Sequence, residues 1–284
     1  MRKRLAPYWL IMPGGLWLAV FFVVPMIAML LVSFESGSLI RGFSLTGDWH
    51  NYTSTIGEYH DQLVRSFKYG LVTTAITIVL AYPMAYWIAF RGGRHKSTYL
   101  FLILLPFFVT FVIRTISWQF LLADDGIVLG HFKEWGLLPQ SFHVIATPYA
   151  VVGGLVYNFL PFMVLPIYVA LERVDRSLLE AASDLFANRV EVFRRVVLPL
   201  SLPGVFAGVI LTFVPAASDY VNAQILGGTG QIMIGNIIET LYLTNSDYPQ
   251  ASALSSILLA ALLIGIFAYA RALGTRDVMD VSAG

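Results

Sequence analysis

Long apolar runs broken by short charged segments dominate the chain. Six stretches reach the roughly 20 residues that a helix needs to cross a bilayer. They are Leu10–Val32, Tyr69–Phe90, Ser97–Ala123, Val144–Leu171, Val196–Ser218 and Tyr248–Ala270. Arg114 interrupts the third, and the fifth ends at Asp219. The pattern predicts six transmembrane helices. Tyr220–Ile238 is also uncharged, but Gly227, Gly228, Thr229 and Gly230 mark it as a loop or re-entrant turn. The first run has 23 residues. That exceeds the roughly 7–15 of a signal-peptide core, and no small-x-small cleavage site is evident, so it reads as a retained helix.

Composition agrees with this pattern. Of 284 residues, 57% are hydrophobic and 12% charged, against about 25% charged in a soluble domain. Mean hydropathy is +0.73. A soluble globule, a disordered chain and a nucleic-acid binder are excluded. The expected class is all-α, a polytopic membrane protein embedded in a lipid bilayer. The net charge of +1 selects no partner. With no cysteine, there are no disulfides, thiolate metal sites or cysteine nucleophiles.

Charge distribution orients the helices. With the N-terminus in the cytoplasm, thirteen of the 18 lysines and arginines fall on inner segments. Only Arg41, Arg65 and Lys133 fall outside. This bias predicts a plasma-membrane protein with both termini cytoplasmic. No G-x-x-x-x-G-K-[ST] phosphate loop occurs, so ATP chemistry would belong to another chain. Outside the spans lie His50, His60, His95, His131 and His143, none paired at the i, i+4 spacing of a metal site. Neither a catalytic nor a metal-binding residue is expected.

The inner segment Glu172–Arg195 is charged yet keeps helical periodicity. Leu178, Ala181, Ala182 and Leu185 recur at three- and four-residue spacing, with Glu180 and Asp184 on a neighbouring face. Such a helix lies on a membrane or docks into a partner's groove. Its acidic residues gain nothing from anionic lipid, which favours a protein partner. Ser177-Leu178-Leu179-Glu180 also matches a capping box, giving Glu180 a local role reaching back to Ser177.

The spacing here carries a resemblance. Glu180-Ala181-Ala182, three residues, Phe186, nine residues and Val196-Val197-Leu198-Pro199 resemble the EAA loop of ABC importer permeases. The family pattern is E-A-A, three residues, G, nine residues, I-x-L-P. The resemblance implies a coupling helix at about 177–188. Glu180, Ala181, Ala182, Asp184, Leu185, Phe186, Ala187, Leu198 and Pro199 would then meet a cytoplasmic ATPase. Phe186 stands where the family has glycine. Phenylalanine does not readily take positive φ. Either the turn moves to Asn188, or the helix runs on and Phe186 fills an apolar pocket of the partner.

Further segments resemble the first permease subunit of spermidine/putrescine importers. They are Pro106-Phe107-Phe108, Ile113-Arg114-Thr115, Ser117-Trp118, Pro161–Tyr168, Leu226-Gly227-Gly228 and Ile234-Gly235-Asn236. The resemblance implies the type I ABC importer permease fold: an N-terminal helix and outer loop over 1–61, a transmembrane core over 62–272 and a tail over 273–284. It also implies partners: a second permease subunit, an ATPase dimer holding ATP and Mg, and an extracytoplasmic substrate-binding protein. This chain itself would need no cofactor. Polyamine would move inward by alternating access. Iron(III), oxyanions, phosphonates and opines are the alternative solutes, and a proton-coupled secondary transporter is the alternative class.

Two charges fall inside the spans. On straight helices, Arg114 and Asp219 would each sit roughly 22 Å up a core of about 30 Å. Arg114 either snorkels to the outer headgroups, binds backbone carbonyls or pairs with Asp219. Asp219 is either the wet end of a helix or a carboxylate facing a cationic substrate, with Ser218 and Tyr220 beside it. Tyr157 and Asn158 form a second polar point, on a helix loosened by Pro161 and Pro166. The competing reading of that point is a kinked packing helix.

Overall fold

The computed structural model describes residues 12–272. The helices α1 to α11 are numbered in chain order. Five are long and apolar enough to cross a membrane, or six if one bent pair counts as a single span. The expected retention of the first run and the predicted tail 273–284 fall partly or wholly outside the described residues.

The chain forms two compact units. The first holds the described residues up to His60 together with Ile237–Leu263. Its α1, Met12–Val32, buries no residue of its most apolar stretch. A hairpin follows, which the sequence pattern did not indicate: β1, Glu35–Ser38, pairs antiparallel with β2, Gly42–Leu45, with Glu35 opposite Leu45. Gly37 is required there, because a Cβ would lie 2.1 Å from the Gly42 carbonyl oxygen. Asn51 fixes the hairpin's root by donating through Nδ2 to the Ser33 and Glu35 carbonyls at 3.0 and 2.9 Å.

The second unit is Asp61–Asn236 with the described residues from Ile264 onward. It contains most of α2, His50–Arg91, a helix kinked at Tyr59. It continues through α3, Lys96–Leu104, α4, Phe111–Leu122, and the short outer α5, Leu129–Glu134. Then come α6, Pro148–Glu172, α7, Arg176–Asp184, α8, Arg189–Ser218, and α9, Val221–Leu226. The helices α10, Ile234–Glu239, and α11, Tyr248–Ala272, run from one unit into the other.

Helix α6 is the axis of this unit. Its Met163, Val164, Ile167 and Leu171 pack against Ala81, Ala85 and Ala89 of α2 and Val197 of α8. Toward its other end, Val151, Leu155 and Phe159 pack against Ala216 of α8 and Ala223 of α9. Pro161 and Pro166 lie within α6, which stays helical through both. Helix α8 lies close because Gly204 and Gly208 stand four residues apart. A Cβ on Gly204 would meet the Pro166 carbonyl oxygen at 2.5 Å, and one on Gly208 the Met163 sulfur at 2.6 Å. Small residues at this spacing let helix backbones approach in a membrane.

The third predicted span is broken. Helices α3 and α4 meet at 89° across a 3₁₀ turn, Leu105–Phe108. Pro106 removes a helical donor, and Val109 and Thr110 take extended conformations. The depth expected for Arg114 on a straight helix is therefore corrected: α4 starts in a new direction three residues before it.

Candidate functional site

Two places gather the residues singled out by the sequence. The first is the inner loop between α6 and α8. Helix α7 begins at Arg176, where the Asp175 carboxylate accepts from the Ser177 backbone N–H at 2.9 Å. Its carboxyl is held below the usual carboxylate range chiefly by that bond. Asp175 is therefore the cap, not Ser177. A capping box is present one loop later: Asn188 accepts from the Val190 and Glu191 N–H groups at 3.0 Å, while Glu191 accepts from the Asn188 N–H.

The turn has not moved to Asn188. Phe186 itself takes φ +62°, the left-handed conformation that glycine supplies in the family pattern. Asn188 is extended, at φ −74° and ψ 167°. Neither the moved turn nor the continued helix is present: the turn stays in place and the bulky residue bears it. The conformation costs roughly 1–2 kcal/mol for a residue other than glycine. Phe186 is 96% exposed and Leu185 81%. Glu180, Ala181 and Asp184 are also exposed, and Ala182 and Ala187 half-buried. Leu179 is half-buried and packs against the core cluster shared by α2, α6 and α8. So α7 is fixed inward by Leu179 and presents an apolar and acidic edge outward. Leu198 and Pro199 lie inside α8, just after its first turns, half-buried and exposed respectively. They follow a π-helical turn, Phe193–Val197.

The second place is a buried polar chain through the second unit. Asp219 ends α8 and is 8% exposed. Its Oδ1 accepts from the backbone N–H of Asn222 at 2.8 Å and from Asn222 Nδ2 at 3.2 Å. Asn222 Oδ1 in turn accepts from Asn158 Nδ2 at 3.2 Å and from the Thr115 hydroxyl at 3.4 Å. Asn158 also donates to Thr115 Oγ1 at 3.3 Å, while its own Oδ1 is buried without a donor. Thus α4 and α6 meet at the Asn222 amide of α9, which joins them to Asp219 at the end of α8. Sequence reading missed Asn222 and Thr115. The cue for Asn222 was Asp219 three residues before it, the spacing of a local cap.

Arg114 does not pair with Asp219. Its guanidinium lies 4.9 Å from the Phe107 ring centroid and 5.7 Å from that of Phe111, on the two sides of the α3–α4 break. Its Nε and Nη1 are buried without hydrogen-bond partners. The aromatic faces take the place of a counter-ion. Among the described residues, no lysine, arginine or histidine forms an ion pair with Asp219. Beside it, Ser218 donates back to the Val214 carbonyl at 3.0 Å. The Tyr220 carbonyl accepts from Asn236 Nδ2 at 2.8 Å, and this residue is 44% exposed. Tyr157 packs edge-on against Trp118, with ring centroids 5.3 Å apart. Gly228, at φ +58°, makes the turn expected within the uncharged stretch after α9.

Comparison with known proteins places these features. A permease protein PotB of the spermidine/putrescine transport system of Haemophilus influenzae is 36% identical over 259 residues, covering 90% of both chains. Its Escherichia coli counterpart is 33% identical, covering 90% of this chain and 94% of its own. A bacterial ABC transporter that imports the acidic polysaccharide alginate shares the fold, with a TM-score of 0.71 at 16% identity over 97% of each chain. The model of the family described as binding-protein-dependent transport system inner membrane component matches residues 66–275. The chain belongs to this family and is a multi-pass permease subunit of the inner membrane, of the ABC importer type.

Proposed function

We propose that this chain is a permease subunit of a polyamine importer, coupled through α7 to a separate ATPase. The observation that carries the reading is the exposed edge of α7, with Glu180, Leu185 and Phe186 projecting from a helix pinned at its back by Leu179. The names of its spermidine/putrescine relatives support the substrate. The complex would hold a second permease, two ATPase copies binding ATP and Mg, and an external binding protein. Hydrolysis would take place on the ATPase, and this chain would supply no catalytic group.

Asp219 fits a route for a polycation. It is a buried carboxylate without a cationic partner among the described residues, next to the half-exposed ring of Tyr220. Tyr157 and Asn158 would line the same route. Asp219 also caps the turn between α8 and α9, so its two roles need separate readouts.

The test is ATP hydrolysis by the purified complex with its binding protein and added putrescine, spermidine or an oxyanion. Stimulation by a polyamine alone, lost in Glu180→Ala, is the expected result. Asp219→Asn keeps an acceptor for Asn222 but loses the charge. It should raise the polyamine concentration for half-maximal stimulation about tenfold, equivalent to about 1.4 kcal/mol, with Tm unchanged. Stimulation by an oxyanion instead would overturn the substrate, and uptake driven by a proton gradient without an ATPase would overturn the class.

A further inference from the structure

Lys96 is the first residue of α3, and Glu172 the last of α6. Lys96 Nζ lies 2.9 Å from both carboxylate oxygens of Glu172. Each charge opposes the dipole of its own helix: a cation sits at an N-terminus and an anion at a C-terminus. Neither is accounted for by the stability of its helix. Together they satisfy one another across two elements.

The surroundings hold the pair in place. The stem of Lys96 crosses the α2–α3 turn where Gly92 leaves room; a Cβ there would lie 2.9 Å from Lys96 Cγ. Glu172 also accepts from the Tyr168 side chain one turn back on α6. Arg176 on α7 adds a positive charge near the Glu172 carboxylate. Three residues beyond Glu172, Asp175 caps α7. The other root of the loop is fixed differently: Phe193 packs edge-on against Tyr82 and Tyr86 of α2, at 5.6 and 6.1 Å.

We propose that Lys96 and Glu172 are positioning residues forming a strut that makes α3 move with the joint between α6 and α7. The strut rests on the reading of α7 as the ATPase-docking helix. A displacement of α7 reaches α6 through the covalent joint. The ion pair passes it to the start of α3, which leads to the break at Leu105–Thr110 and to Arg114. Without the strut, α7 would move α6 and leave α3 behind.

The test uses the whole complex in liposomes and reads polyamine taken up per ATP hydrolysed. Lys96→Met and Glu172→Gln should each lower this ratio about fivefold, within the usual range of site-to-site coupling, while stimulated hydrolysis persists. The exchange Lys96→Glu with Glu172→Lys should restore it, since the pair is rebuilt and each charge then suits its own helix dipole. Lys96→Arg should also retain it. If the single variants assemble poorly, the exchange and Lys96→Arg carry the test, and both must keep the ratio. A merely stabilising pair would lower the amount of complex and leave the ratio alone, which would overturn the strut. An exchange as uncoupled as the single variants would do the same. A wild-type complex that retains no ATPase would overturn the docking reading itself, and the strut with it.

Discussion

Asn158 on α6 donates through Nδ2 to Oδ1 of Asn222 on α9 at 3.2 Å, across 64 residues of sequence. Asn222 passes the connection on to Asp219, and Thr115 of α4 joins from the side. A buried polar chain of this kind fixes the helices around it when its groups are satisfied, and is costly when they are not. Asp219 is held in its buried position by these donors rather than by a counter-ion.

Asn222→Ala removes a side-chain donor to Asp219 and the acceptor of both Asn158 and Thr115. The loss should destabilise the chain by about 1–3 kcal/mol. Thermal unfolding of the complex in detergent checks it, and an unchanged Tm would mean that the chain of amides is dispensable.

Phe186→Gly should stabilise the isolated subunit by about 1 kcal/mol, because glycine takes φ +62° without penalty. The same change removes the exposed ring. Retention of the ATPase on purification should therefore fall while Tm rises. Phe186→Ala separates the effects, losing the ring without the full conformational relief. If both variants hold the ATPase as wild type does, the ring makes no contact that matters.

Gly204→Val should be among the most damaging changes in the spans. Its side chain would meet Ala170 Cβ and the Pro166 carbonyl oxygen, each at 2.5 Å from the Cβ position. Overpacking typically costs about 1–3 kcal/mol. Gly265→Val is the control, since a Cβ there meets nothing within 4 Å. Equal yields of the two folded variants would contradict close packing of α6 on α8.

In the outer segment, Asp124 joins Lys133 at 2.8 Å and His143 at 2.6 Å. Hydrogen bonds from Lys133 and then His143 hold its carboxyl below the usual range. A carboxyl lowered on folding stabilises above its ordinary pKa, about 4, and that contribution is lost as pH falls through the lowered value. Proteolysis within 124–143 should accelerate on acidification below about pH 4. Asp124→Asn should be cleaved faster already at neutral pH and should lose the acid step. A pH profile identical to wild type would remove the carboxylate from the control of this loop.

Sequence by itself determined the all-helical membrane class, the inner amphipathic helix and the glycine turn after α9. These follow from local rules. Hydrophobic runs of sufficient length must be helical in lipid, periodicity marks a two-faced helix, and glycine permits positive φ. The E-A-A to L-P pattern was legible for the same reason, since its parts lie within twenty residues. Tertiary structure decided the rest. The turn at Phe186 stayed where a local preference would have moved it, as contacts on either side, Leu179 inward and the Asn188–Glu191 cap beyond, fix the backbone more firmly than one residue resists. The break between α3 and α4, the parting of Arg114 from Asp219 and the meeting of Asp219, Asn222, Asn158 and Thr115 depend on helices far apart in sequence. A buried polar group must find a partner, but which one it finds depends on how the helices pack.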